Sequence, residues 1–496
     1  MTQTPSVLST RTSTRVRPGL VVVVILLGYL ALPMSMSGAS VAVPEIGADL
    51  EVGGSATSWV VTGYFLAASS LMLVIGAVAD NLGRRRVYRV GAVVYTVSGV
   101  VAALAPSIPV LLSARIICGA GAAAIMAAGA ATAAATFTGA ARNKMFAAIG
   151  TSAALGLAVG PPLTGLLIQH LGWRAGFVTF ALAGGLLILG SMGLPESRRA
   201  DPTAIDWPGA MLVVAGLCSL MLAIAGAPTR GWGHPITLAG LVISAACLFG
   251  LARVEPRAAS PLLDLDLLRN RHFVAWLLSL ATIAIGYGGL LAHLPSFLHG
   301  VMGLSPAESG LMLLTPIVPM LVLPLLVGQL SSVVSVRLLI GLALAMIAAG
   351  NAWLGVMLTP QAAPVDLIAP MLTVGLGLGI GTGIVDAQAM NQVDPDRHGL
   401  AAGMINTVRG ASTTITMALL GSVLAALATI STNDPELAGR LVTGNIPTQR
   451  EDLTATVSNA WLTAQIVIGA ICAAAATVVV ALLRPRNSYS HGPAGG

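Results

Sequence analysis

Long apolar runs alternate with short polar segments over nearly the whole chain. Runs of about 17 to 25 residues, the length of a helix that crosses a bilayer, begin near Gly19, Thr57, Val87, Ile108, Met145 and Ala175, the sixth ending near Leu194. Two more cover about 208–227 and 236–251, and six follow from near Phe273, Ala307, Arg337, Leu367, Gly399 and Ala460. The pattern predicts an all-α membrane protein with about fourteen spans. The first run, 19–43, is too long for a signal-peptide core and lacks an A-x-A cleavage site, so it is span 1.

Charge gives the spans a direction. Arg11, Arg15, Arg17, Arg84, Arg85, Arg86, Arg89, Arg142, Lys144, Arg198, Arg199, Arg253, Arg257, Arg269, Arg271, Arg337, Arg397, Arg484 and Arg486 all fall in segments on one side. Arg174, Arg230, Arg440 and Arg450 fall on the other, and Arg115 and Arg409 lie inside spans. Positive residues collect in the cytoplasm, so both termini are expected there, in a multi-pass protein of the plasma membrane. An odd number of spans would scramble this alternation.

A faint internal copy points to two halves. Gly76, Asp80, Gly83 and Arg85 recur as Gly328, Ser332, Ser335 and Arg337, again where the second helix of a half reaches the cytoplasm. Parallel half-repeats are one way to build a transporter. The expected divisions are a cytoplasmic tail, 1–18; a six-helix bundle, 19–194; a loop and inserted spans 7 and 8, 195–252; a cytoplasmic linker, 253–272; a second six-helix bundle, 273–483; and a disordered tail, 484–496. The polar segment 431–459, between spans 13 and 14, reads as an outside loop with short surface helices.

Composition narrows the classes. With 56% hydrophobic and 9% charged residues, a soluble domain of this length could not keep a solvated exterior. The net charge of +6 is sorted by membrane side and is no argument for nucleic acid. Cys118, Cys218, Cys247 and Cys472 lie in apolar runs without a CxxC or His/Cys cluster, so they read as small buried hydrophobes rather than a disulfide framework or metal site. No nucleophile with a base sits inside the spans, and neither an enzyme nor a cofactor is expected.

Ionisable residues within the bilayer are costly and so are functional candidates. Asp386 is the acid well inside a span, in span 12 about two turns from the loop near Asp394, and Arg409 in span 13 lies at similar depth. The two can pair. Either they neutralise each other structurally, or Asp386 takes and releases a proton while Arg409 competes for its charge. One proton moving down about 100 mV carries roughly 2.3 kcal/mol. Arg115 in span 4 precedes small residues that admit a close neighbour, RIICGAGAA, and reads either as a functional charge or as an arginine that snorkels to the outer interface. Span 5 holds Gly150, Gly156, Gly160, Pro161, Pro162 and Gly165, a smooth and kinked surface suited to sliding or sealing a cavity. Tyr29, Ser35, Tyr64, Tyr287 and His293 are cavity candidates, with the aromatics also readable as interfacial anchors.

At the end of span 2, GAVADNLGRRR places Asp80 in the last helical turn, where a carboxylate faces the carbonyl end of its own helix and calls for a positive partner. Gly76, Asp80, Gly83, Arg84 and Arg85 are therefore latch candidates, although the arginines also serve topology alone.

Taken together, these motifs resemble the major facilitator superfamily, in its fourteen-helix drug:proton antiporter branch. SWVVTGYFLAASSLMLVIGAVADNLGRRR resembles the second helix and signature loop, LLSARIICGAGAA the fourth-helix arginine motif, and GLAVGPPLTG with WRAGF the fifth-helix antiporter motif. DWPGA and PLLDLDLLRNRHF are similar to the branch's inserted pair and linker. The resemblance implies that Asp80, Gly83, Arg84 and Arg85 form a conformational latch against the N-terminus of span 13, that Arg115 joins proton coupling, and that Gly156, Gly160 and Pro161 shape the exporter helix. This chain departs from the branch at Ser35, where an acid is usual, at Cys118 in place of a common glutamine, and at Thr164, which breaks the second glycine pair. Without the helix 1 acid, Asp386 is left as the deep carboxylate.

The expectation is a monomeric exporter of small hydrophobic or amphipathic molecules, working by alternating access in exchange for protons. Alternatives are an exporter of one endogenous metabolite or lipid, an uncoupled facilitator, and, from another class, a non-transporting membrane sensor.

Overall fold

The computed structural model describes residues 18–52, 55–196, 206–255, 265–330, 333–393, 398–446 and 451–484. Arg11, Arg15, Arg17, Arg198, Arg199, Arg257, Ser332, Arg397, Arg450 and Arg486, the tail beyond Arg484 and much of the expected linker lie outside them. Secondary structure among the described residues is helical.

The first bundle comprises α1 (Pro18–Asp49), α2 (Ser55–Leu82), α3 (Arg84–Ala103), α4 (Ile108–Thr136), α5 (Gly139–Leu171) and α6 (Trp173–Ser191). An inserted pair follows, α7 (Trp207–Arg230) and α8 (Pro235–Val254). The second bundle holds α9 (Arg271–Gly300), α10 (Pro306–Met312), α11 (Leu314–Leu330), α12 (Val336–Met357), α13 (Ile368–Met390) and α14 (His398–Thr432), then the short α15 (Pro435–Val442) and α16 (Glu451–Leu482). Span 10 is thus two helices meeting at Leu313, and α2 bends by 51° between its segments Trp59–Met72 and Val74–Leu82.

Twelve helices or joined segments are long and apolar enough to cross a membrane by themselves, thirteen with bent α2 taken as one span. α3 stands apart because four of its first six residues, Arg84, Arg85, Arg86 and Arg89, are charged. The charges explain why hydropathy starts span 3 late, at Val87. Span 5 likewise begins earlier than expected, at Gly139, and span 14 earlier still, at Glu451, so helix covers part of the presumed outside loop. α15 is closed by Asp434, whose carboxylate accepts from the backbone of Glu436 and Leu437.

Within the first bundle α1 packs on α5, and α4 on both α2 and α3; within the second, α12 lies against α13 and α16, and α9 against α14. The bundles meet along α5 with α10 and along α2 with α14. α7 rests on that second seam, where Leu66 of α2, Met221 and Ile224 of α7 and Ala418 of α14 form one buried cluster. Ser422 Oγ of α14 also donates to the Ile224 carbonyl at 2.8 Å. α8 leans on α7 and leaves Ile236, Val242 and Leu248 exposed, as expected of a helix whose other face meets lipid.

Candidate functional site

The α2–α3 turn marks one end of the molecule, here the arginine face. Only Gly83 separates the two helices, at φ 113°, a left-handed conformation in which a β-carbon is disfavoured. A β-carbon there would also lie 2.5 Å from Glu196 Oε1. Arg84 reaches back one turn to Asp80 Oδ1 through Nε at 2.9 Å and Nη2 at 2.8 Å. Asp80 thus obtains its positive partner from a nearby arginine of the same turn. Arg86 approaches Glu196 at 3.9 Å, and Arg89 donates to Ser191. Gly76 faces Ala127 of α4.

At the opposite end the bundles are pressed together by small residues. A β-carbon on Gly165 of α5 would lie 2.3 Å from the carbonyl oxygen of Pro306, and one on Gly310 of α10 equally close to that of Pro161. Deeper along the same helix, Gly156 and Gly160 admit the backbone of α1 at Leu30 and Met34. Two faces of α5 therefore do two jobs, Gly156 and Gly160 binding α1 inside the bundle and Pro161 and Gly165 meeting α10 across the seam. Thr164 is buried among these contacts. Halfway along α2 and α14, Ser69 and Thr414 hydroxyls meet at 3.3 Å, and nearer the opposite face Gly47 of α1 lies against Asn445. Toward the arginine face three ion pairs among the described residues lie within single bundles: Asp80–Arg84, Arg86–Glu196 and Asp386–Arg409. The bundles are thus in close backbone contact at the end opposite the arginine face.

Arg115 is 1% exposed, in the interior of the first bundle. It does not snorkel. Its Nε donates to the Val60 carbonyl at 2.9 Å and its Nη1 to Ser35 Oγ at 3.3 Å. The guanidinium lies over the Tyr64 ring, 4.3 Å from its centre, with Phe177 beyond at 5.6 Å. Sequence reasoning had Arg115, Ser35 and Tyr64 as separate candidates; the fold joins them and adds Val60, Phe177 and Tyr95, which no local pattern marks.

Asp386 differs from expectation in depth. α13 ends at Met390, so the carboxylate is four residues, roughly 6 Å, from the helix end, and its side chain is 53% exposed. Arg409, 44% exposed, pairs with it at 2.5 Å. The reason is packing: α13 lies on α11, α12 and α9 and scarcely on α14, so the gap between α13 and α14 holds the pair instead of covering it. A hydropathy count along the sequence does not register that gap. An ion pair this exposed would be unfavourable against hydrocarbon, so water is its natural neighbour.

The remaining cavity candidates are buried in helix packing. Tyr29 donates to the Met126 carbonyl at 2.8 Å, and His293 Nε2 donates to that of Met417 at 2.9 Å. Tyr287 is buried with its hydroxyl unsatisfied. At the closed end sequence reading missed one cluster: Asp49 of α1 accepts from Arg174 at 2.6 Å and from Trp173 Nε1 at 3.1 Å. The WRAGF stretch was its signal.

The profile of the Major Facilitator Superfamily matches residues 25–417. The chain belongs to this superfamily. Among major facilitator relatives, it is 31% identical over 395 residues to the multidrug resistance protein Stp of Mycobacterium tuberculosis, covering 78% of this chain and 72% of Stp. It is 32% identical over 414 residues to the puromycin resistance protein pur8 of Streptomyces alboniger, covering 81% of this chain and 80% of that one. A crystal structure of a POT family transporter in complex with a thioalcohol-conjugated peptide shares the fold, with TM-score 0.66 and 12% identity over 94% of this chain and 97% of that chain. Two six-helix bundles with an inserted pair are the major facilitator architecture expected from the motifs.

Proposed function

We propose that the protein is an exporter of hydrophobic or amphipathic small molecules that works by alternating access in the plasma membrane, with the arginine face and both termini in the cytoplasm. The observation that carries the reading is the asymmetry of the bundle contacts. Gly165 with Pro306 and Pro161 with Gly310 close one end, while toward the other end the Asp80–Arg84 and Asp386–Arg409 pairs each lie within one bundle. A carrier held in this form receives solute from the cytoplasmic side. Reversal requires the α5–α10 seam to part and the arginine ends to close. Relatives named for multidrug and puromycin resistance support a drug-like substrate.

Coupling to protons is assigned to Asp386. In the first bundle Arg115 faces the neutral Ser35, leaving no carboxylate at that place to protonate. Asp386 is accessible, near the arginine face, and held by Arg409. Protonation weakens the hold of Asp386 on Arg409, and loss of the proton restores it, so the two charge states favour different spacings of α13 and α14. Asp80 and Arg84, beside Gly83, serve as the latch that re-forms when the arginine ends close. The transporter acts as a monomer and without catalysis.

The test is uptake of puromycin into proteoliposomes under an imposed pH gradient, compared with empty liposomes. Gradient-driven accumulation above the control is expected. Retention of puromycin at control levels in protein shown to be folded would overturn the exporter reading. If the parent accumulates puromycin, Asp386→Asn should abolish that accumulation while solute exchange without a gradient survives.

A further inference from the structure

The first bundle carries a positive charge that its own residues do not cancel. Arg115 is fully buried, and among the described residues it makes no ion pair. Its neighbours are neutral on every side: Ser35 of α1, the Val60 carbonyl and Tyr64 of α2, Phe177 of α6. Tyr95 of α3 and Cys118 of α4 complete this part of the interior, with the Cys118 thiol directed to the Tyr95 carbonyl. A carbonyl and a hydroxyl satisfy two donors, and the rings offset part of the charge, but none supplies a negative charge. Arginine cannot discard its proton to escape the penalty. A buried, uncompensated cation is among the most unfavourable groups a fold can hold.

Two polar atoms in this cluster also lack a hydrogen bond of ordinary length, the Tyr95 hydroxyl having only Ser35 beside it. They are Arg115 Nη2 and the Tyr95 hydroxyl, both completely shielded from solvent. Both can donate, and the Ser35 hydroxyl between α1 and Arg115 can donate as well. An unsatisfied cationic donor and an unsatisfied neutral donor, with a rotatable hydroxyl beside them, are the components of a site for one negative charge. A cation is excluded by the guanidinium, and a second positive charge has no partner here.

We propose that the Arg115 cluster binds a single monovalent anionic group, received by Arg115 Nη2, the Tyr95 hydroxyl and Ser35 Oγ. Its chemistry is that of a halide or of the carboxylate of an amphipathic solute. α1, which presents Ser35, also borders α5, α9 and α10 along the division between the bundles, so a rearrangement of that seam gives the anion its way in. The bound charge completes an ion pair with Arg115. The inference is independent of the proton coupling assigned to Asp386, and it adds a charge requirement for the solute or a co-ion that the exporter reading leaves open.

The experiment is thermal unfolding of the full-length protein in detergent, titrated with sodium chloride or with sodium octanoate against matched sodium HEPES. A saturable rise in Tm of at least about 2 °C is expected for one or both probes. A rise with chloride alone assigns a free halide. A rise with octanoate, displaced by chloride, assigns a solute carboxylate. Ser35→Asp supplies the negative charge from the chain, so its Tm in HEPES should exceed the parent's and the anion-dependent rise should vanish. Tyr95→Phe keeps the ring and deletes one donor, and should raise the half-saturating concentration about fivefold. Absence of any saturable rise in the parent overturns the proposal. So does an undiminished rise in a folded Ser35→Asp protein.

Discussion

Gly165 of α5 faces the carbonyl oxygen of Pro306 in α10 so closely that a β-carbon would come within 2.3 Å of it. The obstacle is backbone, which cannot rotate aside. Gly165→Ala should therefore force the seam apart at a cost of about 1–3 kcal/mol to the form described here. On the proposed reading that is a shift of about fivefold or more away from the cytoplasm-open state. In the proposed exporter, puromycin efflux from cells expressing the variant should fall accordingly, with the protein still present in the membrane. Gly150→Ala on the same helix is the control, since nothing lies within 4 Å of its added carbon, and its efflux should match the parent's.

Gly83→Ala tests the turn rather than the seam. At φ 113° the substitution is strained irrespective of space, by about 1–2 kcal/mol, and the new carbon meets Glu196 as well. Glu196 is an exposed side chain and can swing away, so the strain should dominate. Glu196→Ala introduced alongside should recover little of the lost thermal stability. Full recovery in unfolding measurements would show that crowding, not backbone conformation, sets the cost.

Hydropathy placed the spans well because each helix must cover its backbone within an apolar run. It misjudged the edges where charge and helix coexist: α3 begins at Arg84 and α5 at Gly139, both ahead of their apolar cores. The break at Leu313 follows from Pro316, which has no N–H for the Met312 carbonyl and clashes with it, a signal the hydropathy count passed over; the bend within α2 has no proline to announce it. The same limit applied to the charged candidates. Arg115 was conspicuous, but Tyr95, Val60 and Phe177 come to it from distant helices. Asp386 was conspicuous too, and its pairing with Arg409 followed from their similar distance to one loop; its exposure depends on how far α13 stands from α14.

Asn351 of α12 offers a test of packing in the second bundle. Its Nδ2 donates to the Gly286 carbonyl of α9 at 3.1 Å and to Ile347 in its own helix at 2.7 Å, while its Oδ1 has no hydrogen-bond partner. Asn351→Leu removes an unsatisfied acceptor together with one interhelical bond. The opposing terms are each about 1 kcal/mol, so the variant should unfold within about 1 kcal/mol of the parent. Asn351→Asp, which buries a carboxylate in the same place, should be destabilised by several kcal/mol.

The Asp386–Arg409 pair has two readings that a charge exchange separates. Because both side chains are about half exposed, the pair adds at most about 1 kcal/mol to stability, and either single neutralisation should leave the protein folded. The double variant Asp386→Arg with Arg409→Asp restores an ion pair but moves the carboxylate from near the end of α13 to a point eleven residues inside α14. If the pair only neutralises charge, the exchange should recover both stability and pH-driven puromycin accumulation. If Asp386 is the coupling group, stability should return while accumulation stays at the level of Asp386→Asn, because the proton is then taken up by the wrong helix. The second outcome is expected, measured as the ratio of internal to external puromycin at a fixed pH step. Recovery of full accumulation by the exchanged pair would remove Asp386 from the coupling mechanism.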